Sequence, residues 1–177
     1  GSSSNAITGV GFQPDWVWVK SRSVAQGHLL TDSVRGATKR LQSNATSAED
    51  TSSGVASFDS DGFTMGSFYN QSSYTQVAWN WKAGGSANTF NIDGTGYASM
   101  SAAPISDGTQ ALTGLSANTT SKFSIATFTM PDAQKTVAHG LGVKPDWVIF
   151  KNLSTGDWQI WHNSFGEDTE GVIRFNS

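Results

Sequence analysis

Chemistry in this chain would have to come from few residues. It has three histidines (His28, His139 and His162), 14 acids and no cysteine. Nucleophilic catalysis needs a serine or cysteine, a base and an orienting acid. No Gly-x-Ser-x-Gly elbow is present, and without cysteine there is neither thiolate chemistry nor a disulfide framework. Glycoside hydrolysis needs two carboxylates across a cleft. The glutamates Glu49, Glu167 and Glu170 all lie in polar stretches and read as solvated loop charges. Asp59-x-Asp61-Gly62 begins like a calcium loop, but the twelfth position holds Asn70 instead of glutamate, so a hairpin turn is the better reading. Gly94-Thr95-Gly96 does not follow a strand and open a helix, which excludes a dinucleotide fingerprint. Arg35, Lys39 and Arg40 form a basic cluster without interleaved aromatics, read as a solvated face. A net charge of −3 supplies no attraction to nucleic acid or acidic membrane, and no apolar run approaches a membrane span. The expectation is a non-enzymatic protein with no cofactor, no metal site, no nucleic-acid partner and no membrane insertion.

The stretch that organises the chain occurs twice. Gly9-Val10-Gly11-Phe12-Gln13-Pro14-Asp15-Trp16-Val17-Trp18-Val19-Lys20 returns as Gly140-Leu141-Gly142-Val143-Lys144-Pro145-Asp146-Trp147-Val148-Ile149-Phe150-Lys151, always 131 positions later. Over residues 9–23, eight of fifteen positions are identical. A weaker match follows, pairing Leu29–Ser33 with Ile160–Ser164. Such self-similarity marks copied structural units. No histidine is shared by the copies, so no catalytic base belongs to the unit; the only shared acids are Asp15 and Asp146. Each follows proline at a strand entry, where an aspartate caps turn amides.

Gly, Ser, Thr and Asn are abundant and aromatics reach 11 %, a mix suited to short strands joined by turns. Proline at positions 14 and 145 belongs at a strand's start. Trp16-Val17-Trp18-Val19 is apolar on both faces, which predicts an interior strand whose second face meets a neighbouring layer or another chain. Residues 28–31 return from it. Asp61-Gly62 between apolar flanks predicts a hairpin. Residues 74–82 alternate, with Thr75, Val77, Trp79 and Trp81 on one face. The fold class is therefore all-β: antiparallel β-sandwich units, jelly-roll or concanavalin-like, in tandem. Residues 1–85 form the first unit, without its N-terminal strand. Residues 86–121 are a Gly/Ser/Thr-rich connector, part of which packs on a unit. Residues 122–177 begin a second, incomplete unit. The repeat offset leads us to expect a longer polypeptide at both ends, and leaves Val148–Phe150 short of covering layers.

Pro14, Asp15, Trp16, Pro145, Asp146 and Trp147 form the structural motif, with Trp16 and Trp147 expected at equivalent, largely buried positions. Trp79 and Trp81 read as core. Trp158 aligns with Gly27 and follows a Gly-Asp turn. With Asp157 and His162 it makes a candidate contact for a glycan or partner surface, core packing being the competing reading.

The ordered series Gly-x-Gly-x-x-Pro-Asp-Trp-Val-x-x-Lys, Asp32-Ser33-Val34-Arg35-Gly36-Ala37-Thr38-Lys39, Ser60-Asp61-Gly62-Phe63 and Val77-Ala78-Trp79-Asn80-Trp81-Lys82-Ala83-Gly84-Gly85 resembles the repeated domains of tail and fibre-type virion proteins from marine bacteriophages. Thr136–Gly142 and Trp161-His162 are similar to the start of the next domain in such arrays. The resemblance implies a structural or host-adsorption role in the phage particle, with other virion proteins as partners, homo-oligomerisation as a trimer, and no catalytic residues. A carbohydrate-binding module that contacts host surface glycan is the alternative, and a glycan depolymerase a more remote one.

Overall fold

The computed structural model describes residues 4–52, 54–105, 108–130, 133–165 and 173–176. The fold is all-β. Among the described residues the only helical pieces are two single 3₁₀ turns, at Met100–Ala102 and Asn163–Phe165.

The first sandwich follows from alternation. Strand β2 (Trp16–Ser21) lies between β3 (Leu29–Asp32) and β8 (Gln76–Trp81), antiparallel to both. Its Val17 and Val19 point inward and are fully buried. They pack on a second antiparallel sheet of β1 (Asn5–Thr8), β7 (Gly62–Met65) and β6 (Val55–Asp59). Phe63, Met65 and Val55 supply that sheet's inner face, and Leu29 and Tyr69 complete the core. Each such buried side chain contributes about 1.5–3 kcal/mol. The expected β6–β7 hairpin closes with Asp59 opposite Gly62, so its two turn residues are Ser60 and Asp61 and Gly62 opens the return strand. A short ladder of β4 (Lys39–Arg40) and β5 (Asp50–Thr51) flanks β3.

The outer face of β2 is aromatic and is covered by the same chain. Trp16 sits opposite Trp81, and Trp18 opposite Trp79. Phe123, on β12 (Phe123–Phe128), stacks on Trp16 at 5.6 Å, with ring planes 6° apart. Phe175 meets Trp18 edge-on. Of the two covers expected for this face, a neighbouring layer is the one present. Trp79 departs from its core assignment: it is 46 % exposed, because among the described residues no element crosses that end of the row.

The segment expected as a connector carries three strands. β9 (Phe90–Ile92), β10 (Thr95–Tyr97) and β11 (Leu112–Asn118) join β12 in one sheet, ordered β10-β9-β11-β12. The β9–β11 pair is parallel, and the sheet has its own core around Phe90, Leu112, Leu115 and Ala117. Gly84 joins this sheet to the first sandwich. A Cβ there would stand 2.4 Å from the Asn91 carbonyl oxygen and 2.5 Å from that of Ala117, so only glycine fits.

The second copy of the motif forms a hairpin, β13 (Trp147–Phe150) with β14 (Gln159–His162). Ile149, Trp158 and Phe175 pack with Trp16, Trp18, Leu30 and Leu41. Its other side is partly open, although Phe150 there meets Phe128 at 6.1 Å. Val148 is 42 % exposed where its counterpart Val17 is 0 %.

The basic cluster is not a solvated face. Arg35 is buried and donates to Asp32 at 2.5 Å and to Glu49 at 2.9 Å. Lys39 lies 3.9 Å from Glu49, and Arg40 pairs with Asp50. Glu49 is thus part of an ion-pair network and not a free loop charge. The network forms because the 33–49 loop folds back over β3 and brings the acids to the arginine. Glu167 and Glu170 lie outside the described residues.

Candidate functional site

The motif aspartate builds a concentrated, buried polar site. Pro14 stands two residues before β2, and Asp15 after it turns inward, where it is 1 % exposed. Its backbone is fixed on both sides: its amide donates to the Trp81 carbonyl at 2.8 Å, and its carbonyl accepts the Ser33 amide at 2.8 Å. Its carboxylate then clasps two segments. Oδ1 accepts the Ser33 hydroxyl at 2.8 Å, and Oδ2 accepts the amides of Ala83 at 2.7 Å and Gly85 at 3.2 Å. Burial pushes the Asp15 carboxyl above the usual carboxylate range, against the pull of Ser33, the two amides and Lys82. Both oxygens are engaged by donors. The residue is an acceptor that anchors the end of β8 in the sheet.

The neighbouring turns are held the same way. Gly9 and Gly11 adopt left-handed φ of 86° and 82°, and their amides donate to the Asp61 carboxylate at 2.9 and 2.6 Å. Those bonds hold Asp61 below the usual carboxylate range. The Asp59 carboxylate accepts Ser57 and Thr64 hydroxyls. The calcium-like spacing is therefore a hairpin turn, as expected. An open polar groove borders the clasp, lined by Gln13, Asp15, Lys82, Gly84, Asp93 and Asn118 among others. Asp93 accepts the amide and hydroxyl of Thr119, and Asn118 the amides of Thr120 and Ser121, so these groups serve their own turns.

The second copy reproduces part of this clasp with a one-residue change in register. Trp16 pairs with Asp32, but Trp147 pairs with His162, because eight residues (151–158) join the strands where the first copy uses nine (20–28). Asn163 therefore takes the place of Ser33. Its amide donates to the Asp146 carbonyl at 2.9 Å and its side-chain amide to Asp146 Oδ1. The bridge between Leu30 and Leu41 is likewise matched by one between Ile160 and Ile173. Gly140 and Gly142 repeat the left-handed turn, with φ of 69° and 67°.

The candidate contact residues are not a platform. The register change puts Trp158 at the ladder position of His28, not of Gly27, and turns it into the aromatic core. It is 4 % exposed, its indole N–H donates to the Gln42 carbonyl at 2.8 Å, and its ring packs 6.0 Å from Phe175. Asp157 pairs with Arg174 at 3.1 Å and accepts from Asn176. His162 is exposed and bonds to Ser164. Trp147, expected to be buried like Trp16, is 54 % exposed. Trp16 is shielded by Trp81 and Phe123, and among the described residues no ring plays those parts at Trp147. Ser33 and Ala83–Gly85 were missed as partners of Asp15. The signal for them was the run of small residues that ends an aromatic strand.

His28 has a structural task. Its Nδ1 accepts the Trp18 indole N–H at 2.7 Å, which only the neutral ring can do. Burial, with Lys20 nearby, holds its pKa below 6.5. The unfolded chain therefore binds the proton more readily. The stabilisation is complete above about pH 6.5 and is lost as pH falls through the lower folded value. Denaturant midpoints should drop between pH 7.5 and 5.5. A His28→Gln variant, whose side-chain oxygen can still accept, should show a weaker drop; an unchanged drop would refute the assignment.

Among the described residues no group of three or more His, Asp or Glu is placed to hold a metal ion, and no helix is long and apolar enough to cross a membrane. A family model described as "Domain of unknown function (DUF7483)" matches residues 1–177. No curated protein and no solved structure matches the chain.

Proposed function

We propose that this chain, which belongs to the DUF7483 family over residues 1–177, is a non-enzymatic structural component of a phage virion, in the tail or a fibre, that serves assembly or host adsorption. The observation that carries the reading is the clasp. The one kind of acid shared by both motif copies is, in the first copy, fully spent on holding Ser33, Ala83 and Gly85. A unit whose repeated polar residue builds a sheet suits an array better than a reaction. The resemblance of the motif series to repeated tail and fibre domains supports the same reading, as does the matching pair of hairpins arranged in series. Other virion proteins are the partners, and a homotrimer is the assembly that the resemblance implies. Contact with host glycan is a second reading. It draws on Trp79, exposed beside Trp18, and no longer on Trp158.

The test is to purify particles of a phage that encodes this domain on a density gradient and identify their proteins by peptide mass spectrometry. Peptides of this chain should co-sediment with infectious particles at a stoichiometry of several copies each. Recovery only in the soluble fraction of the lysate would overturn the proposal.

A further inference from the structure

The free edge of β13 is built to receive one kind of strand. In the first copy, β2 is paired on both edges, by β3 and by β8. In the second, β13 pairs with β14 alone among the described residues. The other edge is where β8 would lie, and it is flanked by Trp147 and Val148, both exposed. The polar end of the site is also half made. In Asp15, Oδ1 faces Ser33 and Oδ2 holds the amides that follow β8. In Asp146, Oδ1 accepts from Asn163, and among the described residues none donates to Oδ2. The Asp15 amide donates to the Trp81 carbonyl.

From this correspondence we infer that β13 and Asp146 form a docking site for an extended strand of the β8 type, presented by a partner protein and not by a second copy of this chain. Such a strand has aromatic residues alternating along one face and ends in small residues with free backbone amides. It adds antiparallel to β13. By the pairing of β2 with β8, its residue equivalent to Trp81 lies opposite Trp147, the equivalent of Asn80 opposite Val148, and that of Trp79 opposite Ile149. The two amides beyond its end donate to Asp146 Oδ2. Main-chain bonds supply the attachment, while the aromatic alternation and the small-residue end supply the selectivity. An ordinary exposed edge carries charges or proline that discourage pairing. Trp147-Val148-Ile149-Phe150 carries neither.

The probe is a synthetic peptide with the sequence of residues 74–85, Tyr74 to Gly85, added to the intact chain. Amide exchange is followed by NMR. At millimolar peptide the amides of Asp146 and of alternate residues along Trp147–Phe150 should slow at least about tenfold, as expected for amides entering a ladder. An Asp146→Ala variant should fold normally, since that side chain is exposed, and should bind the peptide about tenfold more weakly, the usual worth of charge-assisted bonds. A peptide with proline at the Trp79 position, whose amide faces the paired strand in the β2–β8 ladder, should not protect the strand. Three results would overturn the inference: no protection of β13 at millimolar peptide, protection that ignores Asp146→Ala and the proline substitution, or protection that grows with protein concentration without peptide, which would make a second copy the occupant.

Discussion

Asp15→Ala should destabilise the chain by about 2–4 kcal/mol, because each buried donor left without a partner costs about 1–3 kcal/mol. The variant strands the amide of Ala83, which is buried, and that of Gly85, which is part-buried beside the open groove, so water can replace the carboxylate only in part. Ser33 can rotate its hydroxyl elsewhere, so it adds little. Part of the loss is offset, because the wild-type carboxylate is itself held against burial. Asp15→Asn separates a structural from a chemical role. Its oxygen can face the two amides while its NH₂ donates to the Ser33 hydroxyl, so the loss should stay within about 1 kcal/mol. Denaturant midpoints measured for the three proteins give the comparison directly. If Asn were as damaging as Ala, the negative charge would be essential and the clasp would be the wrong description.

Trp158→Ala should cost about 3–5 kcal/mol, the usual loss for a large buried aromatic. The indole fills the space between Leu30, Leu41 and Phe175 and satisfies the Gln42 carbonyl. Its removal leaves a cavity and also loosens the β13–β14 hairpin, whose Ile149 shares that cluster with Phe175. Trp147→Ala makes the control. That side chain is more than half exposed, so its truncation should change stability by about 0.5 kcal/mol or less. The order of these two effects is the reverse of what the repeat alignment suggests. Equal losses at both positions, by urea denaturation, would mean that Trp147 is covered in solution.

Much of the fold was legible because local rules carried it. Alternation in β2 and β8, proline at the strand entry and Asp-Gly in the β6–β7 turn each fixed an element without outside help. The aspartate's role as a cap was legible too, although its partners were not, since Ala83 and Gly85 are almost seventy residues away. Two things were hidden. The 86–121 stretch is rich in Ser, Thr and Gly, a loop-like composition, yet Phe90, Ile92, Leu112 and Leu115 suffice to core a sheet when β12 lies beside them. Its parallel β9–β11 pairing joins residues that no short-range pattern connects. The second was the register of β14. A loop shorter by one residue leaves the identities of the Pro-Asp-Trp motif intact but moves the return strand by one position. That single step takes Trp158 from a surface turn into the core, because a strand's side chains change face at every residue.

The clasp that defines the motif is open to one direct measurement, amide hydrogen exchange at Ala83 and Gly85 in the intact wild-type chain. If Asp15 anchors the end of β8, both amides exchange only through opening of the first sandwich, with protection close to that of the Val17 and Val19 amides at its centre. Exchange of Ala83 and Gly85 at the rate of exposed turn amides, while Val17 and Val19 stay protected, would contradict it.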